Sequence, residues 1–259
     1  MNVLARLKVF YKKFKGQKQI IGKTSKGSNI YAFTVCKSDY PTVIMTYGIH
    51  AREYITTYLA LKQIADFERY GERGKVIFLP AVNPDGIKIS LTKNPLYKAN
   101  ARGVDLNVNF DARWGEGSQN VFVKGSQNYV GKFPFSENET RALRDLTLKV
   151  NPDITVSYHS KGEEIYWQFF QDEEREKRDY RYAKAVSDCT GYPLVTVLNS
   201  AGGYKDWCIE KLKIPALTIE VGSDNLSHPI KKEHLEEIYQ RNKEVIFTLT
   251  ESFACKKNL

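Results

Sequence analysis

The sequence predicts an α/β fold with a mixed or mostly parallel sheet. Short apolar runs such as 42–46 and 216–220 alternate along the chain with longer segments of helical periodicity such as 54–70. That alternation is typical of strands and helices that follow one another in one domain. With 259 residues, of which 42% are hydrophobic, the chain can bury a sizeable core. We therefore expect residues 1–259 to form a single domain.

The first part of the chain contains two helices and three strands in this reading. Apolar residues at helical spacing, including Tyr58, Leu61 and Ile64, support the second helix. In chain order we expect a helix at 3–16, paired strands at 19–23 and 28–36, a buried strand at 42–46 and a helix at 54–70.

The rest of the chain continues the pattern around one irregular region. Ser136 and Glu139 have the spacing of a capping box before an amphipathic helix. In a compact domain, a long region with little periodicity more often contributes to function than serves only as a connection. We expect a strand at 76–79, a turn at 83–86, the irregular region at 90–135, helices at 136–150 and 174–190, strands at 154–158 and 216–220, and one long helix at 229–254.

Composition excludes several classes of protein. The formal net charge is +9, but Lys and Arg are spread along the chain, so we expect a polyanionic substrate or simple solubility and no nucleic-acid partner. No apolar run reaches the roughly 18 residues of a membrane span. The basic N-terminus lacks the unbroken apolar core of about 7–15 residues that a signal peptide needs, so we expect a cytoplasmic protein. The four cysteines are scattered and are expected to be thiols.

Three chemically capable residues lie where apolar strands end. His50 follows the strand at 42–46, His159 comes directly after the run at 154–158, and Glu220 ends the strand at 216–220. Ligands of open α/β sheets bind outside the carboxyl ends of the strands. The placement therefore indicates one shared site.

The residues of this site suit a metal ion. His50 and Glu53 are three positions apart at the start of a helix, a spacing that puts both side chains on one side of a turn. Catalytic zinc takes three nitrogen or oxygen ligands from the protein, and His159 would be the third. His228 and His234, the other two histidines, are predicted to be surface residues. The His50–Glu53 spacing alone is weak, and only the combination with His159 and Glu220 points to zinc.

At this point the chain resembles the carboxypeptidase A-like family of zinc peptidases. The matching segments occur in the family's order over almost the whole chain. They are 48–53 (Gly-Ile-His-Ala-Arg-Glu), 83–86, 103–107, 134–143, 157–160, 202–207 and 218–222.

The resemblance implies an eight-stranded mixed sheet flanked by helices, with one zinc ion. It implies that His50, Glu53 and His159 bind the zinc and that Glu220 is the general base. A cation beside the metal would stabilise the oxyanion. The segment Leu96-Tyr97-Lys98 matches the family's cation segment, so Lys98 is the first candidate and Arg102 the second.

Some positions depart from the family's carboxypeptidases, which clamp the terminal carboxylate of the substrate with an Asn-Arg pair. Here that pair reads Asn107-Val108, and the family's mobile tyrosine is replaced by Leu198. If the chain is nevertheless a metallocarboxypeptidase, Arg52 or Arg102 would replace the missing clamp. The resemblance implies that Lys205, beside Tyr204, lies at the base of the specificity pocket, where a Lys would favour a carboxylate on the substrate.

With these departures, the chain resembles the bacterial γ-D-glutamyl-L-diamino-acid peptidases within the family. The resemblance then implies hydrolysis of the γ-D-glutamyl–diaminopimelate bond in peptidoglycan stem peptides, with Asn107, Tyr204 and Lys205 at the substrate. One alternative is a metallocarboxypeptidase that releases acidic C-terminal residues. Another, from a different class, is a non-catalytic zinc- or peptidoglycan-binding module, for which a general base at Glu220 has no use.

Overall fold

Eight strands form one mixed sheet in a computed structural model, which describes residues 1–197 and 199–253. The strands are β1 (Gln17–Lys23), β2 (Asn29–Cys36), β3 (Thr42–Tyr47), β4 (Lys75–Leu79), β5 (Ile154–His159), β6 (Glu164–Tyr166), β7 (Leu194–Val195) and β8 (Ala216–Glu220). Their order across the sheet is β1-β2-β4-β3-β5-β8-β6-β7. The central strands β4, β3, β5 and β8 run parallel to one another. The predicted fold class is confirmed.

Helices cover both faces of the sheet. They are α1 (Val3–Lys13), α2 (Ile55–Tyr70), α3 (Pro84–Thr92), α4 (Asn138–Val150), α5 (Glu173–Thr190), α6 (Tyr204–Glu210), α7 (Leu235–Asn242) and α8 (Val245–Ser252). Among the described residues, none of these helices is both long and apolar enough to cross a membrane.

The core is divided by the sheet because successive side chains of a strand point to opposite faces. In β3, Val43 and Met45 pack on one face, together with residues of α1, α2, α5, α7 and α8. Ile44 packs on the other face with residues of α4 and α6. Strands buried on both faces read as continuous apolar runs, which is why β3, β5 and β8 were recognisable in the sequence.

Three local predictions were wrong. The segment at 83–86 is the start of α3 and not a turn: the Asn83 side chain accepts a hydrogen bond from the Gly86 N–H at 3.0 Å, and Pro84 takes the first helical position. Ser136 and Glu139 form no capping box, because α4 begins at Asn138 and the Ser136 hydroxyl donates to the Glu137 carboxylate at 2.8 Å.

The third is the single helix predicted at 229–254, which is interrupted. A short 3-10 helix at Lys232–His234 precedes α7, and α7 and α8 are separate. Gln63 donates to the backbone carbonyl of Asn242 at 3.0 Å, so a side chain competes for the helical acceptor where α7 ends. The short elements β6, β7 and α6 were not predicted at all.

Candidate metal centre

The parallel strands bring the predicted site residues to one edge of the sheet. His159 is the last residue of β5 and lies in register with Glu220, the last residue of β8. His50 follows the adjacent strand β3, and the chain turns between them at Gly48, which has a φ of +60°. A side chain at this position would place its Cβ 2.9 Å from the Thr57 hydroxyl, so the turn requires glycine. A short 3-10 helix, Ala51–Glu53, then returns Glu53 towards His50. The sheet geometry therefore assembles the strand-end cluster that the sequence indicated.

His50, Glu53 and His159, here called the metal trio, are buried and converge on one point. The Nδ1 atom of His50 lies 2.8 Å from Glu53 Oε1, and the Nδ1 atom of His159 lies 3.1 Å from Glu53 Oε2. The two Nδ1 atoms face each other at 3.1 Å. Within residues 1–197 and 199–253, this is the one cluster of three or more His, Cys, Asp or Glu residues close enough to hold a metal ion.

The donor set fits zinc. Two imidazole nitrogens and one carboxylate oxygen are the ligand types of catalytic zinc sites. Ligand bonds of about 2.0–2.1 Å in a tetrahedron separate neighbouring donor atoms by somewhat more than 3 Å, close to the separations of the metal trio. When each imidazole carries its proton on Nε2, both Nδ1 lone pairs are free to bind one cation.

Asp105 contacts one member of the metal trio and was given no role by the sequence reasoning. His50 Nε2 lies 3.2 Å from Asp105 Oδ1, so a proton on Nε2 leaves the Nδ1 lone pair for a metal. Burial would raise the pKa of the Asp105 carboxyl, but the charges of Lys98 and His50 outweigh it and hold that pKa well below its ordinary value. The only signal in the sequence was its place in the family-like segment 103–107.

A cavity of about 480 Å³ opens beside the metal trio, and we call it the Lys205 cavity. Glu220 and Lys98 line it next to His50 and His159. Lys98 Nζ forms an ion pair with Asp105 at 2.7 Å and donates to Asn128 Oδ1 at 2.7 Å. Burial, followed by the negative charges of Glu53 and Glu164, raises the pKa of Glu220 well above its ordinary value.

Lys205 reaches this cavity as a member of an ion pair. Its Nζ lies 2.6 Å from Asp206 Oδ1 and donates to the Gln168 carbonyl at 2.9 Å. Both charged side chains are largely buried, at 12% and 3% exposure. The pocket therefore offers a cation and an anion together, whereas the sequence suggested a lone cation.

Asn107 also lines the cavity, next to Val108. Its Oδ1 accepts a hydrogen bond from the backbone N–H of Tyr204 at 3.3 Å. The Tyr204 side chain does not face the cavity as predicted, because it is fully buried in the core and its hydroxyl lies 2.8 Å from that of Thr147. The packing of α6 against the sheet turns Tyr204 inward, so only its backbone adjoins the site.

The two arginines considered for the substrate lie elsewhere. Arg102 is 47% exposed and pairs with Glu137 at 3.3 Å, and it does not line the described walls of the cavity. Of the two candidate cations, the structure thus brings Lys98 to the metal trio. Arg52 also lies outside the cavity lining, with a buried Nε that has no hydrogen-bond partner among the described residues. Leu198, the position of the family's tyrosine, lies outside the described residues.

His228 was predicted to be a surface residue and is half-buried instead. Its Nδ1 atom is inaccessible and has no hydrogen-bond partner in the described part of the chain. Burial lowers the pKa of its imidazole; the charge of Glu53 raises it, and that of Arg52 lowers it. The surroundings of His228 in the sequence did not indicate this burial.

Comparison with known proteins supports the family resemblance over most of the chain. Residues 10–245 match the family described as zinc carboxypeptidase. A γ-D-glutamyl-L-diamino acid endopeptidase of Lysinibacillus sphaericus is 30% identical over 229 residues, which cover 74% of this chain and 57% of that protein. The chain thus spans little more than half the length of this relative.

Solved structures show the same fold. Bovine thrombin-activatable fibrinolysis inhibitor, in complex with tick carboxypeptidase inhibitor, superposes with a TM-score of 0.85 at 19% identity, over 99% of this chain and 96% of that one. Murein-tripeptide amidase from Escherichia coli O157 superposes with a TM-score of 0.65 at 23% identity, over 92% of each chain.

Proposed function

This chain belongs to the zinc carboxypeptidase family, and from that premise we propose that it is a zinc-dependent peptidase that hydrolyses the γ-D-glutamyl–diaminopimelate bond of peptidoglycan stem peptides. We take residues 1–259 as one catalytic domain. The observation that carries the proposal is the buried metal trio, with Glu220 and Lys98 beside it in a cavity that also holds a buried ion pair.

His50, Glu53 and His159 would hold one zinc ion. When bound, zinc supplies a Lewis acid that polarises the scissile carbonyl and makes water a better nucleophile. Asp105 keeps the His50 ring in the orientation and tautomer that a metal ligand needs. The sulfur-free donor set of nitrogen and oxygen atoms is the type that zinc peptidases use.

Glu220 is suited to move the proton in this reaction. Its partly buried carboxyl has a raised pKa, which makes the carboxylate a stronger base towards water, and the protonated group can then return that proton to the leaving nitrogen. Lys98 is held by Asp105 and Asn128, so its ammonium is positioned before the substrate arrives. A fixed cation of this kind stabilises the negative charge that develops on the carbonyl oxygen.

The Lys205 cavity supports diaminopimelate on the leaving-group side. The side chain of diaminopimelate ends in an ammonium and a carboxylate on one carbon, and the Lys205–Asp206 pair presents the complementary charges. Val108 lines the same cavity where a carboxypeptidase would need an Arg fork. The Lysinibacillus relative, named for γ-D-glutamyl-L-diamino acid substrates, agrees with this choice.

The test uses purified protein, zinc and the peptide L-Ala-γ-D-Glu-diaminopimelate. We expect release of free diaminopimelate, and a loss in kcat of about 10²–10⁴ in Glu220→Gln, the range for removal of a general base. The variant should keep its metal, since Glu220 is not a member of the trio. Cleavage confined to ordinary α-peptides with an acidic C-terminus would instead identify a metallocarboxypeptidase, and binding without any cleavage would identify a binding module.

A further inference from the structure

The net charge of the protein comes entirely from its first 38 residues. Nine of the 39 Lys and Arg residues lie in residues 1–38, whereas all 30 Asp and Glu residues follow position 38. The remaining cations equal those acids in number, so the formal charge of +9 belongs to residues 1–38 alone. Such an asymmetry along a chain indicates a surface for anionic partners.

The fold gathers most of these cations on one side of the molecule, which we call the basic edge. β1 is an edge strand of the sheet, and α1 directly precedes it. α1 and the turn between β1 and β2 meet at a cavity of about 500 Å³, which Lys8 and Lys26 line together with Lys88 of α3. The exposed cations of the basic edge are Arg6, Lys8, Lys12, Lys13, Lys15, Lys23 and Lys26.

The cations of the basic edge have no acidic partner within the described chain. Every ion pair that a Lys or Arg forms in residues 1–197 and 199–253 involves Lys62 or a later residue. Asp85, the acid that contacts the β1–β2 turn, is 6% exposed and accepts hydrogen bonds from the hydroxyls of Thr24 and Ser28. The exposed ammonium groups are therefore available to anions from outside the chain.

Exposed apolar side chains lie among these cations. Val9 is 38% exposed, and Lys12 and Lys13 are its neighbours at helical spacing on the outer face of α1. Ile20 is 46% exposed on the edge strand β1. The interface of an anionic bilayer accommodates both kinds of side chain, because its headgroups attract cations and apolar groups enter between them.

The residue types of the segment argue against a nucleic acid. Single-stranded nucleic acids stack their bases on accessible aromatic rings. The five aromatic residues of 1–38 pack against one another instead, with ring centroids 4.2 Å apart for Tyr11 and Tyr31 and 5.3 Å apart for Phe10 and Phe33. Eight of the nine cations are lysines, which act as point charges and lack the planar fork of arginine.

We propose that the basic edge docks the protein on the surface of an anionic phospholipid bilayer, with the chain lying on the membrane and not crossing it. Each exposed lysine attracts the headgroups, and the cavity between Lys8, Lys26 and Lys88 takes one headgroup phosphate. β2 and β4 separate β1 from β3, and no member of the metal trio belongs to the basic edge. The inference goes beyond the proposed function and does not depend on it.

The test is co-sedimentation of the full chain with two kinds of vesicle. One contains phosphatidylcholine alone, and the other contains about 30% phosphatidylglycerol in addition. We expect binding to the anionic vesicles only, and a loss of that binding as the salt concentration rises, because salt screens the attraction. Equal binding to neutral and anionic vesicles would overturn the proposal, and this comparison needs no variant.

Two triple variants locate the bound surface. One is Lys8→Gln, Lys12→Gln and Lys13→Gln. Its matched control removes the same charge from ion-paired lysines elsewhere: Lys177→Gln, Lys184→Gln and Lys211→Gln. The first should lower the partition coefficient on anionic vesicles about 100-fold, at about fivefold for each lysine, and the control should lower it far less. An equal loss in both would show that net charge, and not the basic edge, causes the binding.

Ile20→Ser separates a bilayer from other polyanions, because it keeps every charge. It should weaken binding to the anionic vesicles several-fold and leave binding to a DNA duplex unchanged. Tighter binding of the wild type to the duplex than to the anionic vesicles, at one salt concentration, would overturn the proposal in favour of nucleic acid. Hydrolysis of a soluble peptide and the circular dichroism spectrum should be the same in all variants, since none of them touches the metal trio or the Lys205 cavity.

Discussion

The two sides of the metal trio differ in how their charges are compensated. On the side of the Lys205 cavity, each buried cation has an anion within 2.7 Å: Lys98 pairs with Asp105, and Lys205 pairs with Asp206. Outside that cavity, Arg52, Ser160 and His228 have buried atoms with no hydrogen-bond partner in the described chain. The paired groups are held in position by their partners, whereas the unpaired atoms have no such restraint. The difference teaches that the charges lining the Lys205 cavity are preorganised, which is the arrangement that electrostatic stabilisation of a reaction requires.

The largest expected effect comes from the loss of one residue of the metal trio. His50→Ala takes one imidazole from the metal trio, and we expect metal bound per chain to fall from near one to near zero and peptidase activity to fall to background. Metal analysis after gel filtration in buffer without added zinc measures this. A variant that keeps a full complement of zinc would show that the ion binds somewhere other than the trio.

The next effect tests the preorganised charges. Lys98→Ala should lower kcat by about 10²–10³ with the zinc content unchanged, as expected for loss of one oxyanion donor. Lys98→Arg keeps the charge and is the matched control, which should recover part of the rate. If Lys98→Ala raises KM and leaves kcat unchanged, Lys98 binds the substrate and does not stabilise the oxyanion.

The third prediction concerns the buried carboxyl of Glu139, which is not part of the metal trio, and its effect on the free energy of unfolding. Burial, the main cause, and the charges of Glu137 and Asp85 raise the pKa of Glu139 to about 7. The native state then binds its proton more tightly than the unfolded chain does, so this carboxyl lowers the free energy of unfolding as the pH rises from about 4.5 to about 7.

Glu139→Gln removes that ionisation. Relative to the wild type, the variant should therefore gain about 1–3 kcal/mol of unfolding free energy between pH 5 and pH 8. Urea unfolding of both proteins at the two pH values measures the gain. A difference between variant and wild type that stays constant with pH would show that Glu139 does not titrate in this range.

The smallest expected effect is on substrate preference, when one charge of the Lys205–Asp206 pair is removed. Asp206→Asn keeps the acceptor for the Gly203 N–H but removes the negative charge. We compare kcat/KM for a diaminopimelate leaving group with kcat/KM for a leaving group whose side chain ends in a carboxylate alone. The ratio of the first to the second should fall about tenfold, within the range for one charged pair. Lys205→Met is the opposite control and should favour a side chain that ends in an ammonium. An unchanged ratio in both variants would remove the pair from substrate recognition.

Much of the site was predictable because its residues end strands. Apolar runs identify β3, β5 and β8, and parallel strands share one carboxyl edge, so His50, His159 and Glu220 had to meet there. Local capping was less predictable. Asn83 caps α3 where a turn was expected, and Ser136 bonds to Glu137 and does not cap α4, since several polar side chains compete for each helix end.

By itself, the sequence determined the fold class, the strand-end residues and the donor types of the metal trio, because hydrophobic periodicity and residue chemistry are local properties. Only the tertiary structure decided which charges are compensated. Asp105 lies 55 residues from His50 and yet within 3.2 Å of it, whereas Arg52, two residues from the same histidine, has an unpaired buried Nε. Electrostatic interaction depends on distance in space and on exclusion of water, and separation along the chain specifies neither.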